Sequence, residues 1–280
     1  MFLFAPLIFS RHLFEFSYVY PEALAFVAFC LLSSSVYVLN DIADREADKR
    51  HPIKRERPIA SGKVSIASGL AFGLVLLLSA GLVSTLLNNE FRFILILYAA
   101  LNLVYSFGLK RVILVDVFII AAGFMLRVLG GAFAIDVEVS HWLVLCTLFV
   151  SLFLATSKRR GELMLLQNST DFSERPVLKE YDLAFIDQII TVTAAGMAIS
   201  YALYTVSDRT VAMFNTENLV FTTFFVLFGI FRYLFLLRKK KTEDNPTTLL
   251  LSDFVMIVNM GAWFLVCIII IYFNDIKAWF

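Results

Sequence analysis

From Ala23 to Leu39 the chain carries no charged side chain, and comparable apolar runs recur along its whole length. About 20 such residues cross the hydrocarbon core of a bilayer. Inside that core the backbone must satisfy its own hydrogen bonds, which leaves only helices or closed barrels. Helical spans are expected near residues 22–40, 64–87, 91–109, 112–134, 140–156, 183–206, 219–237 and 250–273, and Met1 to Phe14 adds a shorter one. Composition agrees: 60% of residues are hydrophobic and 17% charged, and mean hydropathy is +0.80, whereas a soluble domain is nearer half apolar and a quarter charged. Residues 1–280 therefore read as a single polytopic membrane domain of the all-α class, with no soluble second domain, linker or low-complexity tract.

A net charge of +1 points to no partner, nucleic acid included, but the distribution of charge is informative. Eighteen Lys and Arg residues fall in alternate loops: seven from Arg45 to Lys63, then Lys110 and Arg111, five from Lys158 to Lys179, and four from Arg238 to Lys241. The opposite loops and tail hold only Arg11, Arg92, Arg209 and Lys277. Cytoplasmic loops are the ones enriched in Lys and Arg, so residues 42–63, 110–111, 157–182 and 238–249 are expected in the cytoplasm and the C-terminus outside, in a multi-pass protein of the plasma membrane. Met1 opens directly into apolar residues, without the basic start and small-residue cleavage site of a secretory signal, and none is expected. Cys30, Cys146 and Cys267 each lie inside an apolar run and read as buried free thiols. Gly69-x-x-x-Gly73 and Gly130-Gly131 read as places of close helix packing.

Where the run ending at Leu39 reaches the cytoplasmic side, the sequence continues Asn40-Asp41-Ile42-Ala43-Asp44-Arg45-Glu46-Ala47-Asp48. On one continuous helix, Asp41, Asp44 and Asp48 share a narrow sector, with Asn40 beside them. Carboxylates so placed repel, by about 0.2–0.5 kcal/mol per pair on an exposed helix. A divalent cation would remove the repulsion, and hard Mg²⁺ takes oxygen ligands that it commonly shares with a substrate phosphate. Arg45 and Lys49 are the neighbouring counter-charges. The loop that follows, Lys49 to Lys63, has two prolines and five cations before Lys63 itself. Alone it would be a topology anchor. Beside a metal site, its Lys54 and Arg57 could form a diphosphate clamp.

Two further cytoplasmic segments stand out. One is Tyr105-Ser106-Phe107-Gly108-Leu109-Lys110-Arg111. The other is Ser157-Lys158-Arg159-Arg160-Gly161-Glu162, emerging from the span that ends near Thr156, with Arg175, Lys179 and Tyr181 after it. Asp116 and Arg127 lie within one apolar run, three helical turns apart, on one face but too distant for a direct bond. Arg232 lies near a span end, where it can snorkel to the interface. His12, His51 and His141 are scattered, and no metal-binding Cys/His cluster, nucleophile elbow or P-loop is present.

The Asn40–Asp48 motif with its basic loop resembles the UbiA superfamily of intramembrane transferases. Ser33 to Asp41, Asp48 to Gly62, Tyr105 to Lys110, Gly123 to Arg127 and Ser157 to Glu162 resemble one branch in particular, the decaprenyl-phosphate phosphoribosyltransferases. The resemblance implies an all-α bundle of about nine transmembrane helices, in line with the eight full runs and one short run above. It implies Mg²⁺ on Asp41, Asp44 and Asp48, and a cavity open to the cytoplasm. The reaction it implies is transfer of 5-phosphoribose from phosphoribosyl pyrophosphate (PRPP) to a polyprenyl phosphate. Asp41, Asp44, Lys54 and Arg57 would then be catalytic. Asn40, Tyr105, Lys110, Arg127, Lys158, Arg159 and Glu162 would bind the substrates.

Two departures are visible. Aromatic prenyltransferases of the superfamily carry a second Asp-rich motif where this chain has Lys158, Arg159, Arg160, Arg175 and Lys179, and Asp171, Glu174, Asp182 and Asp187 do not reproduce its spacing. Family members also carry a short basic, Trp-containing segment before the first span, and Met1 stands where that segment would already have ended, so the first helix reads as short. The alternatives are a polyprenyl diphosphate-dependent aromatic prenyltransferase and a small-anion transporter lined by Asp116 and Arg127. Lipid length, downstream pathway and homo-oligomerisation are left open by the sequence.

Overall fold

A computed structural model describes residues 2–10, 12–50, 54–168, 180–239 and 246–277, and those residues contain helices and turns but no strand. Twelve α-helices follow in order: α1 Ala5–Phe9, α2 Phe16–Ala43, α3 Arg45–Arg50, α4 Ile66–Ser84, α5 Asn89–Phe107, α6 Val115–Ala134, α7 His141–Asn168, α8 Leu183–Val206, α9 Asp208–Phe214, α10 Thr223–Lys239, α11 Pro246–Ser252 and α12 Phe254–Lys277. Among the described residues seven helices are long and apolar enough to cross a membrane: α2, α4, α6, α7, α8, the Asn218–Lys239 stretch containing α10, and α12. The all-α membrane architecture expected from the apolar runs is thus present. The spans differ in detail. Helix α5 has a span's length, 19 residues, but Asn89, Glu90, Arg92 and Asn102 dilute its apolarity. The first short run forms only a 3₁₀ turn at Phe2–Phe4 and the five residues of α1.

The helices fall into two compact units, one built on Met1–Val139 and the other on the helices from Ser140 onward. In the first unit, α2 packs against α4, α5 and α6. Its core holds Ala25, Ala28, Phe29 and Leu32 of α2, Phe91, Ile94 and Tyr98 of α5, and Leu126 of α6. The Phe29 ring meets Phe91 and Tyr98 edge-on, with centroids 5.7 and 5.3 Å away. Helix ends are fixed locally: Ser65 accepts from Ser68 N (3.0 Å) to start α4, and Asn88 accepts from Phe91 N (2.9 Å) to start α5. A Cβ added at Gly73 would touch the Val38 side chain of α2 at 3.5 Å, and Ser35 Oγ donates to the Gly73 carbonyl at 2.8 Å. The Gly69/Gly73 stripe therefore seats α4 on α2, in line with the close packing read from its spacing.

In the second unit α7 and α8 pair along their length. Arg160 of α7 donates to Asp187 of α8 (2.7 Å) and to the Leu237 carbonyl of α10 (3.2 Å). Arg232 of α10 makes two hydrogen bonds to Asp253, of 3.1 and 2.7 Å, and Asp253 in turn caps α12 through Met256 N. Arg232 is thus an ion-pair partner rather than a snorkelling side chain; its counter-ion lies 21 residues on, beyond any local pattern. All three cysteines are free, but Cys30 is exposed on α2, Cys146 is half-buried, and only Cys267 is buried as expected. A thiol within an apolar run on a membrane helix can face outward as well as inward.

Gly130 and Gly131 of α6 are the tightest contacts of the first unit. A Cβ at Gly131 would collide with the Leu3 carbonyl and stand 2.8 Å from Oε1 of Glu22, a wholly buried carboxyl. At Gly81 the same atom would meet nothing within 4 Å. Gly131→Ala should therefore destabilise the protein by about 1–3 kcal/mol, the usual cost of overpacking, while Gly81→Ala should be neutral or stabilising. Melting temperatures of the purified variants in one detergent check this; equal shifts would refute the packing argument.

Candidate active site

The site is built at the C-terminal end of α2. Helix α2 stops at Ala43; Asp44 adopts φ −91°, ψ 1°, and α3 begins at Arg45. The expectation of one continuous helix through Asp48 is therefore corrected. The backbone hydrogen bonds Asp44 N→Asn40 O (2.9 Å) and Asp48 N→Asp44 O (2.8 Å) persist across the break. The consequence is that the three carboxylates divide between two cations.

Arg57 takes two of them. Its Nη1 lies 2.8 Å from Asp41 Oδ1 and 2.9 Å from Asp48 Oδ2. The backbone that carries Arg57 is pinned on both sides. A 3₁₀ turn at Lys54–Glu56 precedes it, and Ser61 N→Arg57 O (2.8 Å) and Val64 N→Pro58 O (2.9 Å) close the turn after it. Gly62 supplies φ +80°, which a side chain would strain. Ile59 and Ala60 are buried, and a Cβ at Gly69 would touch Ile59 Cδ1 at 3.2 Å. The basic loop thus folds its apolar tip onto α2 and α4 and aims Arg57 at the carboxylates.

Lys110 takes the third carboxylate. It sits in the Leu109–Arg111 turn between α5 and α6, is 8% exposed, and its Nζ contacts Asp44 Oδ1 at 2.5 Å and Asn40 Oδ1 at 3.4 Å. The segment from Lys110 into α6 is bent sharply: Leu114 has φ 65°, and Val115 N bonds Ile113 O at 2.8 Å. This is the rare form of the γ-turn, and for a leucine a strained one, costing about 1–3 kcal/mol. Two residues on, Asp116 is fully buried.

The sequence-adjacent cations do something else. Arg45 and Lys49 both hold Glu46, at 3.1 and 2.8 Å, and the Lys49 hydrogen bond keeps that exposed carboxyl below the usual glutamate range. They are not the counter-charges of the Asp cluster; Arg57 and Lys110 are. Separation of 9 and 16 residues for Arg57, and of 66 for Lys110, hid these pairs from a reading of neighbours.

The other predicted site residues lie on further elements. Lys54 and Tyr105 are half-buried, on the 3₁₀ turn and near the end of α5. Arg127 of α6 donates to the Tyr98 hydroxyl and to the Gly123 carbonyl (3.2 Å), and stands 4.7 Å from the centre of the Tyr98 ring. Tyr98 OH also meets Ser33 Oγ of α2 at 3.1 Å. Tyr98 carried no sequence signal of its own, whereas Ser33 opens one of the segments that carry the family resemblance. In the second unit the segment expected to leave the membrane as a loop is instead the continuation of α7, which runs unbroken past Thr156 to Asn168. Its Lys, Arg, Glu, Leu and Met residues are good helix formers. There Lys158 is exposed, while Arg159 is 1% exposed and paired with Glu162 one turn on. Arg175, Lys179, Asp171 and Glu174 lie outside the described residues, as do His51, Pro52 and Ile53.

The donor set around α2 consists of hard oxygens: three carboxylates and one amide. Among the described residues no three carboxylate, histidine or cysteine side chains converge on one ion-sized point. What converges instead is pairs of oxygens on Arg57 Nη1 and on Lys110 Nζ. The chemistry fits a hard divalent cation, and the two nitrogens mark the points at which such a cation would compete.

The UbiA prenyltransferase family model matches residues 17–256. The decaprenyl-phosphate phosphoribosyltransferase of Mycolicibacterium smegmatis is 37% identical over 188 residues, 67% of this chain and 59% of that protein. The enzyme of the same name from Corynebacterium glutamicum is 40% identical over 186 residues, 65% of this chain and 55% of that protein. The match thus spans less than two thirds of these relatives' own length. A solved UbiA homologue from Archaeoglobus fulgidus, bound to DMAPP and Mg²⁺, shares the fold with a TM-score of 0.68 at 14% identity, over 96% of this chain and 95% of that one. With its family motif on α2 and its all-helical membrane architecture, the chain belongs to the UbiA prenyltransferase family.

Proposed function

We propose that the protein transfers 5-phosphoribose from PRPP to a polyprenyl phosphate, releasing pyrophosphate, at the cytoplasmic face of the plasma membrane. The observation that carries this reading is the convergence of Asn40, Asp41, Asp44 and Asp48 with Arg57 and Lys110 on one helix end. The names and identities of the curated relatives support it. So does the cationic composition of Lys158, Arg159 and Arg160 where an aromatic prenyltransferase would be acidic.

The chain's own groups do most of the work. Asn40, Asp41, Asp44 and Asp48 would hold Mg²⁺, which when bound neutralises diphosphate charge. Arg57 and Lys54 bind the pyrophosphate and stabilise it as it departs. The C1–O bond to pyrophosphate breaks, leaving an oxocarbenium-like carbon, and a lipid phosphate oxygen bonds to C1 from the opposite face. That oxygen is already anionic, so no strong general base is required. Catalysis is positioning of two anions plus electrostatic stabilisation of the leaving group. Arg127, held by Tyr98, and Lys158 are the further cations for the ribose 5-phosphate and the lipid phosphate.

Membranes containing the protein, incubated with labelled PRPP and several polyprenyl phosphates, should place the label in the lipid fraction, and chelation should stop this. Asp41→Asn and Asp44→Asn should each reduce transfer by orders of magnitude. Lys158→Ala should cost about 1.5–3 kcal/mol for one charge-assisted contact, at saturating metal. Arg159→Ala should also lower stability, since it strips a buried pair. Joining of a polyprenyl diphosphate to an aromatic acid, with PRPP ignored, would overturn the proposal.

Orientation has a separate check. In a Cys-free background, a cysteine at Ser61 should be shielded from an impermeant thiol reagent in intact cells and one at Asn89 should react. The reverse pattern would place the α2 site outside the cell and contradict the use of PRPP.

A further inference from the structure

Every carboxylate of the α2 cluster already has a cationic partner drawn from elsewhere in the chain. One nitrogen, Arg57 Nη1, bridges Asp41 and Asp48, and one ammonium, Lys110 Nζ, sits between Asp44 and Asn40. These are the oxygens that a metal would need. A metal arriving alone must strip them from their partners and come to rest beside two positive charges. It would also strand Lys110, which is 8% exposed, and a buried charge without its partner is strongly unfavourable.

A diphosphate changes the balance. Its oxygens offer both cations new partners, and the planar guanidinium fork matches phosphate geometry. Arg57 need only swing its side chain, which is 39% exposed, because the backbone beneath it is fixed by buried Ile59 and Ala60.

We propose that Arg57 and Lys110 are exchangeable counter-ions of the Asp cluster, which the substrate diphosphate draws off the carboxylates so that metal and diphosphate enter the site together. This inference rests on the reading of the α2 site as one that takes a metal and a diphosphate. Neither component alone is bound tightly, and each raises the other's affinity by the same factor, as linkage requires. Arg57 and Lys110 are positioning residues for the carboxylates before they contact substrate. One consequence is protection against idle occupancy: a site whose metal ligands are already neutralised does not fill with a divalent cation until there is a diphosphate to share it.

The test is equilibrium dialysis of the full chain in detergent with Mn²⁺, with and without pyrophosphate, the protein-free chamber correcting for Mn²⁺–pyrophosphate in solution. The wild type should retain Mn²⁺ weakly alone and about tenfold or more tightly with pyrophosphate, within the usual range of coupling between sites. Arg57→Gln should bind Mn²⁺ alone more tightly than the wild type, by several-fold, and gain less from pyrophosphate. A merely structural arginine would give the opposite sign. Arg57→Lys should restore weak metal-only binding, and Lys110→Gln provides a second route to the same result if Arg57→Gln melts early. If Mn²⁺ alone binds the wild type as tightly as the ternary mixture, and neither Gln variant exceeds it, the exchange is wrong while the metal site stands. If Mn²⁺ is retained under no condition, the exchange falls together with the metal reading of the site.

Discussion

Arg57 Nη1 touches Asp41 and Asp48 at once, and the local structure around it follows from that contact. Two carboxylates at the end of a membrane helix repel each other and leave a loop of like charges with nowhere to settle. One guanidinium answers both. It fixes the loop from Lys54 to Lys63 over the helix end, and this in turn requires the loop's apolar tip, Ile59 and Ala60, to find cover on α2 and α4. Gly69 leaves room for Ile59, and Gly62 allows the chain to turn back into α4. The break at Asp44 lets the third carboxylate turn to Lys110.

The same logic governs the charges set deeper among the helices. An ionised group away from water is costly unless paired or hydrogen-bonded. Arg127 meets the Tyr98 hydroxyl and ring, Arg160 meets Asp187 and a backbone carbonyl, and Arg232 meets Asp253 through two bonds. In the first unit the cations divide into those that hold structure, such as Arg45 and Lys49 on Glu46, and those that hold acidic groups of the family motif.

The spans and the motif could be read directly from the sequence because both are local: a run without charges, and carboxylates at helical spacing. The packing glycines were legible for the same reason. What could not be read was which cation answers which carboxylate. Proximity in sequence favoured Arg45 and Lys49, yet the turn through Pro58 and Gly62 and the bend at Leu114 deliver Arg57 and Lys110 instead. Nor did apolarity alone locate the end of α7, because a helix that leaves the apolar core continues wherever its residues favour helix and its charges find partners, as Arg160 does on Asp187. Cys30 illustrates the remaining ambiguity: membrane helices are apolar on the outside too, so an apolar run does not say which side of a residue is buried.

The central claim is that the Arg57 bridge holds the basic loop on the acidic end of α2. The most direct measurement is a double-mutant cycle on stability in detergent, combining Arg57→Gln with Asp48→Asn. Asp48 has 7% of its side chain exposed and Arg57 39%, so solvent screens the pair from one side only. The account predicts a coupling of about 0.5–3 kcal/mol, the range for residues in direct contact, with the double variant losing less than the two single losses together. Strict additivity would show that the two side chains do not depend on each other, and would contradict the account.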